Sequence, residues 1–383
     1  MKFVKLSQTD ALMPTVGLGT WQAEPDVLQP VIYEALELGY RHIDTAFNYN
    51  NEEAIGNAVT KWIDDGKGVR SDLFITTKLP HVGNRASDVE KFLDLQLKRL
   101  QTAYVDLYLI HVPFGFNCDH ATLTPKVDAD GNYELDMKTD HIATWKVRFF
   151  FISSCLYCPT AGQKPPQILP DVLFPHKDSY FSQVDIRQPW KQSKNCQRSG
   201  LIRNLGLSNF NEAQIQEIWK SATFKPQVLQ VELHAYFQQQ ELRNYCTERD
   251  IVVTAYAPLG SPGAKNHFVN KYKYSPGVFP DLLTVPEVVT IAKKFGKTPA
   301  QILLHFLVQQ KIVVIPKSTN KARLQANMDL YDFELSQDDM DLLLRLDKGE
   351  KGRIFNFLFW KGVEKHPEYP FKEIKHNICA ESN

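Results

Sequence analysis

Apolar residues recur along the chain in two alternating rhythms. Val27–Leu38 carries Leu28, Val31, Ile32, Ala35 and Leu36 at the three-and-four spacing of one helix face, and YRHID then reads as a short strand. Glu52–Ile63 predicts the next helix and LFITTK the next strand, after which Val89–Leu100 leads to VDLYLI. Ahead of this series, KFVKLS and ALMPTVGLGTW flank the turn-like Gln8-Thr9-Asp10, which predicts an N-terminal β-hairpin. Beyond the middle, LIRNLGLSNF reads as strand and loop, Glu212–Lys220 as helix, QVLQVEL as strand, Gln240–Arg249 as helix and IVVTAY as strand. Pro286–Phe295 and Pro299–Gln310 each open on a proline, whose missing N–H is tolerated there. The strand IVVIP and a helix over Lys321–Met328 complete the pattern.

The strands in order are TVGLG, RHID, LFITTK, DLYLI, LIRNLG, VLQVE, IVVTA and IVVIP. Eight strands alternating with helices predict an α/β fold, a single (β/α)8 TIM barrel over residues 1–383 with long loops at its C-terminal face, where such barrels keep their chemistry. A doubly wound sheet is the alternative. Its nucleotide-binding form carries GxGxxG in the first strand-helix turn, and GLGTWQAE from Gly17 lacks the third glycine.

One stretch breaks the rhythm. After DHIATWK the proline-rich run Val147–Lys191 shows little periodicity before QSKNCQRSG leads back to a strand, so residues 147–191 read as an irregular insertion in the helix after the fourth strand. Trp-Lys occurs on both sides, at 145–146 and 190–191. Valine codons begin GT, one lysine codon ends in AG, and 45 codons keep frame, which are the marks of a retained intron or gene-model artefact. If translated, the run enters the outer helical ring, where lost stability rather than lost site geometry is expected.

Composition narrows the function classes. With 383 residues, 43% of them hydrophobic, the chain can bury a large core. Lys+Arg and Asp+Glu both total 44, which gives no electrostatic reason to expect nucleic acid or an anionic membrane as partner. The N-terminus has no unbroken apolar run, and FFFISSCLYC is about half of the ~20 residues a spanning helix needs. A cytoplasmic monomer is the expectation. Cys155 and Cys158 form a lone CxxC without a second Cys or His pair, so free thiols and no metal are expected.

Four titratable residues fall at the exits of successive strands: Asp44 and Tyr49 around HIDTAFNYNN, Lys78 in ITTKLP and His111 in YLIHVP. Reducing a carbonyl needs a hydride for carbon and a proton for oxygen, and a phenol of pKa about 10 is a poor acid at neutrality. An adjacent ammonium would lower that pKa, a carboxylate would hold the ammonium, and a histidine could orient the carbonyl. Asp44, Lys78, Tyr49 and His111 suit those roles.

HIDTAFNYNNE, ITTKLP and YLIHVPFGF resemble the aldo-keto reductase family over almost the whole chain outside the insertion. The resemblance implies NADPH/NADP+ bound on a barrel without a Rossmann motif and a small-molecule carbonyl substrate, and so an NADP-dependent oxidoreductase acting on CH–OH groups. It makes Tyr49 the proton donor, Lys78 and Asp44 its tuners and His111 the substrate orienter. It places Thr20, Trp21 and Asp44 at the nicotinamide mouth, has Ser208, Asn209 and Gln230 hold the carboxamide, and stacks Tyr256 on the ring. Leu259 and Ser261 would follow the pyrophosphate. Lys317, Ser318, Thr319, Arg323 and Asn327 would hold the adenosine end, and two cations there suit a 2′-phosphate. Trp21, Tyr49, His111, Val112 and Phe114 would touch substrate, with Phe355 or Phe357 from the tail as further lining. The chain departs from the family at Ala257 and Ala326, which drops a pyrophosphate and an adenine contact, and at Val112, where many members carry Trp. Hydrophobic or sugar-like carbonyls are the implied substrates. A barrel whose insertion has abolished turnover, and a barrel acting on sugars by paired carboxylates, are the alternatives.

Overall fold

The structure, a computed structural model, describes residues 2–149 and 200–371. A hairpin comes first, β1 (Phe3–Lys5) paired antiparallel with β2 (Leu12–Pro14). Then β3 (Leu18–Gly19), α1 (Pro25–Glu37), β4 (His42–Asp44), α2 (Glu52–Asp64), β5 (Phe74–Leu79), α3 (Val89–Leu100) and β6 (Leu107–Ile110) alternate as the periodicity predicts. A short hairpin, β7 (Cys118–Asp119) with β8 (Thr124–Pro125), and α4 (His141–Phe149) follow. The second half runs β9 (Leu205–Ser208), α5 (Glu212–Ser221), β10 (Val228–Glu232), α6 (Gln240–Thr247), β11 (Val252–Tyr256), α7 (Lys265–Tyr272), α8 (Pro286–Phe295), α9 (Pro299–Gln309), β12 (Val313–Val314), α10 (Lys321–Met328) and α11 (Gln337–Leu344).

Eight parallel strands lie in the order β12, β11, β10, β9, β6, β5, β4, β3. A parallel bridge between Val16 and Val314 joins the two ends, with Gly17 N–H donating to the Val314 carbonyl at 2.9 Å, and so closes a (β/α)8 barrel. Closure needs glycine on the first strand, because a Cβ on Gly19 would lie 2.5 Å from the Ile315 carbonyl oxygen. Alternation sends every second strand residue into the lumen. At the N-terminal end Leu6 and Met13 of the hairpin region plug it against Phe74, Leu107, Leu109, Val228 and Val313. A larger apolar core lies between strands and helices, built from stripes such as Leu28, Val31, Ile32, Ala35 and Leu36 of α1.

Local chemistry sets the helix ends. Asn211 and Gln214, and Thr298 and Gln301, form reciprocal capping boxes at the starts of α5 and α9. Gly296, at φ +62, terminates α8. The helix expected to open with DHIATWK is α4, which runs on through Val147 and Arg148 into the predicted insertion; residues 150–191 of that insertion, with Cys155 and Cys158, lie outside the described residues. Sequence periodicity missed β7, β8, α7 and α11, all short. No helix among the described residues is long and apolar enough to cross a membrane.

Candidate active site

The lumen changes character towards the strand C-termini. Apolar side chains at the plugged end give way to His42 and Thr76 and then to a polar layer containing Asp44, Lys78, Ser208, Gln230 and Glu232, all buried. Register explains the meeting of Asp44 and Lys78. Asp44 pairs with Thr76 across β4 and β5, so Lys78, two residues on, stands one layer higher on the same face. The Lys78 ammonium, with no exposed surface, donates to Asp44 Oδ1 at 2.6 Å, to the Thr45 carbonyl at 2.8 Å and to the Tyr49 hydroxyl at 3.4 Å. Its three hydrogens therefore have three partners. Tyr49 reaches the site from a 3-10 turn at Phe47–Tyr49, held where Thr45 Oγ1 donates to Asn51 Oδ1 and Asn51 Nδ2 donates to the Thr20 carbonyl. The Tyr49 and His111 rings meet edge to face at 5.7 Å. The structure thus brings Asp44, Tyr49, Lys78 and His111 together at one barrel mouth.

Burial pulls the Lys78 ammonium below its ordinary value near 10.5 while the Asp44 carboxylate opposes the fall. Tyr49 runs against the sequence expectation. Burial, then the Asp44 and Tyr256 charges, raise its phenol well above 10, so the resting group is fully protonated and not tuned towards phenolate. The physical reason is chiefly burial, and the Lys78 ammonium, 2.6 Å from Asp44 and 3.4 Å from Tyr49, stands closer to the carboxylate than to the phenol. Burial, Lys78 and His81 push His111 well below 6.5, which leaves a neutral imidazole able to donate one N–H. Its Nδ1 is buried without a partner among the described residues.

Most residues suggested for a nicotinamide cofactor gather beside this cluster. Gln230 Nε2 donates to the second Asp44 oxygen at 2.7 Å, so both carboxylate oxygens are engaged. Asn209, at φ +63, donates from Nδ2 to the His111 carbonyl and to Ser208 Oγ, and accepts from the Tyr256 hydroxyl at 2.8 Å. Thr20 differs. It has no exposed surface, and its hydroxyl donates to the Asp44 carbonyl, which holds the end of β3 against β4. Leu259 and Ser261 lie half-buried in the turn after β11, where Ala257, Gly260 and Ser261 all have positive φ.

At the start of α10, Asn320 caps the helix and Ser318 Oγ accepts from the Asn320 amide. Lys317 and Arg323 are exposed beside that terminus; burial and then Arg323 lower the Lys317 ammonium, and neither cation pairs with a carboxylate among the described residues. Two unpaired, mutually repelling cations at a helix N-terminus fit a phosphate group. Thr319 is half-buried there and Asn327 buried on α10.

The suggested substrate wall is partly rearranged. Trp21 is half-exposed, with its ring 5.5 Å from Phe355 and 6.0 Å from Phe268 of α7. Phe114 is fully buried, packed on Phe116, Phe357, Trp360 and Tyr369, so it supports the wall from behind. Val112 is also buried, and its carbonyl accepts from Asn84. The aromatic tail therefore covers part of what was expected to be open lining. Two polar residues escaped the sequence reading. Glu232 ends β10 at the mouth, and Glu52 of α2 accepts from Thr77 and Gln96 behind Lys78. Glu232 stands two positions after Gln230 on the same strand face, and that parity was the available signal.

A model described as the aldo/keto reductase family matches residues 15–348. The chain is 34% identical over 374 residues to aldo-keto reductase family 1 member A1-A of Danio rerio, covering 95% of this chain and 97% of that protein. It is 35% identical over 374 residues to aldo-keto reductase family 1 member A1 of Homo sapiens, covering 96% and 98%. The solved structure of the aldose reductase from Schistosoma japonicum superposes with a TM-score of 0.76 at 33% identity, covering 97% of this chain and 99% of that one.

Proposed function

The chain belongs to the aldo/keto reductase family, oxidoreductases acting on carbonyls or alcohols, and from that premise we propose that it reduces aldehydes and ketones to alcohols with NADPH, using Tyr49 as proton donor. The observation that carries this reading is the fully buried Lys78 held between Asp44 and Tyr49, since an ammonium taken wholly out of water needs a reason to be there.

When bound, NADPH supplies the hydride that adds to the carbonyl carbon as the C=O π pair moves to oxygen. Tyr49 then gives its proton to that oxygen. A phenol whose pKa is raised still protonates an alkoxide, a far stronger base, and the phenolate left behind lies 3.4 Å from the Lys78 ammonium that can neutralise it. Neutral His111 donates its N–H to the carbonyl oxygen and turns it towards Tyr49. Asp44 keeps Lys78 charged and in place. With the cofactor bound, Ser208, Asn209 and Gln230 would hold the carboxamide, the Tyr256 ring would lie along the nicotinamide, and the unpaired cations Lys317 and Arg323 would meet the 2′-phosphate. Trp21 and Phe355 make the mouth apolar, which suits carbonyls with hydrophobic or sugar-like bodies. A cytosolic monomer is the proposed setting.

Loss of NADPH absorbance with a generic aldehyde tests the reading. Tyr49→Phe is expected to lower kcat about a thousandfold while NADPH binding, followed by fluorescence, stays intact. Turnover indifferent to that substitution would refute the assigned donor, and tight NADPH binding without turnover would mark a cofactor-binding scaffold.

A further inference from the structure

Glu232 is a carboxylate with 1% exposure at the mouth of the barrel, and neither proton transfer nor cofactor contact uses it. Its two oxygens face the chain's own tail: Oε1 accepts from the Ile354 amide at 2.7 Å and Oε2 from the Phe355 amide at 2.8 Å. His234, also fully buried, closes the third side, with Nε2 3.1 Å from Oε1. We propose that Glu232 is a positioning residue that clamps the tail through two consecutive backbone amides and so sets the Phe355 ring as a wall of the substrate pocket.

The clamp acts at the right place. Phe355 lies edge-on to Trp21 at 5.5 Å and 5.9 Å from Tyr256, whose backbone is paired with Glu232 across β10 and β11. The tail is held on both sides of the clamp. Beyond it the Tyr274 hydroxyl donates to Asn356 Oδ1 at 3.3 Å and the Tyr369 hydroxyl to the Asn356 carbonyl at 2.6 Å. Before it the chain is guided in. Lys348 N–H donates to the Tyr236 carbonyl, Gln238 N–H donates to Asp347, and Gly352 passes so near the Tyr236 carbonyl that a Cβ would collide with it. An amide hydrogen bond to a buried carboxylate is stronger than one to a neutral acceptor, and two adjacent ones fix both the position and the rotation of the peptide between them. Selectivity for the body of a substrate would then depend on a residue that never touches it.

This inference rests on the reductase reading, so its test has an arm independent of turnover. In Glu232→Gln one face of the side chain becomes an NH2 that cannot accept, and hydrogen exchange at Ile354 and Phe355 is expected to speed up about tenfold while β4 and β5 exchange as before. Glu232→Asp, which withdraws the carboxylate by one methylene, is the milder second variant and should shift exchange the same way. Unchanged exchange in a folded variant overturns the clamp. With turnover, Glu232→Gln is expected to raise KM for an aldehyde bearing an aromatic body about tenfold and to leave kcat for a small aldehyde within about twofold. Phe355→Ala should show the same KM rise, and the double variant no more than either alone, because both remove one wall. Additive effects, or an equal fall in kcat for every aldehyde, would overturn the proposal. A wild-type protein that reduces no aldehyde would sink the reductase reading alone, with the exchange experiment still deciding the clamp.

Discussion

Tyr49 and His111 are displaced from their ordinary pKa values in opposite directions, the phenol upwards and the imidazole downwards, chiefly by burial. The resting site therefore keeps one proton state, phenol protonated and imidazole neutral, across the whole interval between about 6.5 and 10. The expected outcome is a kcat/KM for carbonyl reduction that is flat from about 6.5 up to the pH at which Lys78, itself lowered by burial, loses its proton, because this ratio reports ionisations of the free enzyme. An acid limb centred above about 7 would show that His111 is not held neutral. The four strand-exit residues were legible because each sits in a short polar motif after an apolar strand. Their electrostatics were not, since whether Lys78 serves Asp44 or Tyr49 first depends on distances of 2.6 and 3.4 Å that no spacing encodes. Phe114 was misplaced for a similar reason. An aromatic after a strand exit reads as lining, and only the tail, Phe357 and Trp360 among it, buries the ring.

Among the elements, long helices and core strands declared themselves through periodicity, TVGLG and IVVIP included, although β3 and β12 within them are two residues each and meet through the closing bridge at Val16 and Val314. Helix α4 joins the predicted pattern to the predicted insertion, and its residue Arg148 shows the mismatch. The guanidinium is fully buried under the β6 and β9 strands, where it donates to the Tyr108 carbonyl and, at 3.5 Å, to the Gly206 carbonyl and lies 4.9 Å from the Tyr108 ring; Nε has no partner and no carboxylate pairs with it among the described residues. Burial lowers it from the usual arginine range to about 9. A buried cation without an acid is destabilising, and an apolar side chain of similar length removes that cost. Arg148→Met is accordingly expected to stabilise the protein by about 1–3 kcal/mol, read as a higher urea midpoint with an unchanged m-value. A lower midpoint would mean that the carbonyl bond outweighs the desolvation.

At the scale of the whole molecule, equal numbers of acidic and basic residues give no net charge near neutrality, so pH dependence of stability comes from buried groups rather than from global repulsion. Burial drives His42 to about 4 and His81 to about 3, and His111 falls well below 6.5. A histidine depressed in the folded state stabilises fully above the unfolded value near 6.5, and as pH falls the unfolded chain takes up the proton first, so stability drops until the folded value is reached. Each contributes about 1.4 kcal/mol per pH unit within that window. Glu52 and Asp106, raised mainly by burial, act the other way, since their contribution is present below the ordinary carboxylate range and fades as pH rises. His267, His305 and His366 are also lowered by burial and Asp88 and Asp94 also raised, so among the described residues six depressed histidines outnumber four raised carboxylates. At the alkaline end Lys78 and Arg148, both depressed by burial, make stability rise further with pH until the lysine and arginine of the unfolded chain also lose their protons. Tyr40 and Tyr108, raised by burial, begin to favour the unfolded state only above 10. The urea midpoint should therefore fall steeply from pH 6.5 to 4 and be highest between about 7 and 10. His81→Phe is the control, because it keeps a ring edge-on to Phe116 and Trp360 while removing one proton from the slope. A midpoint that peaks near pH 5, or a slope unmoved by His81→Phe, would show that carboxylates and not the buried histidines govern acid unfolding.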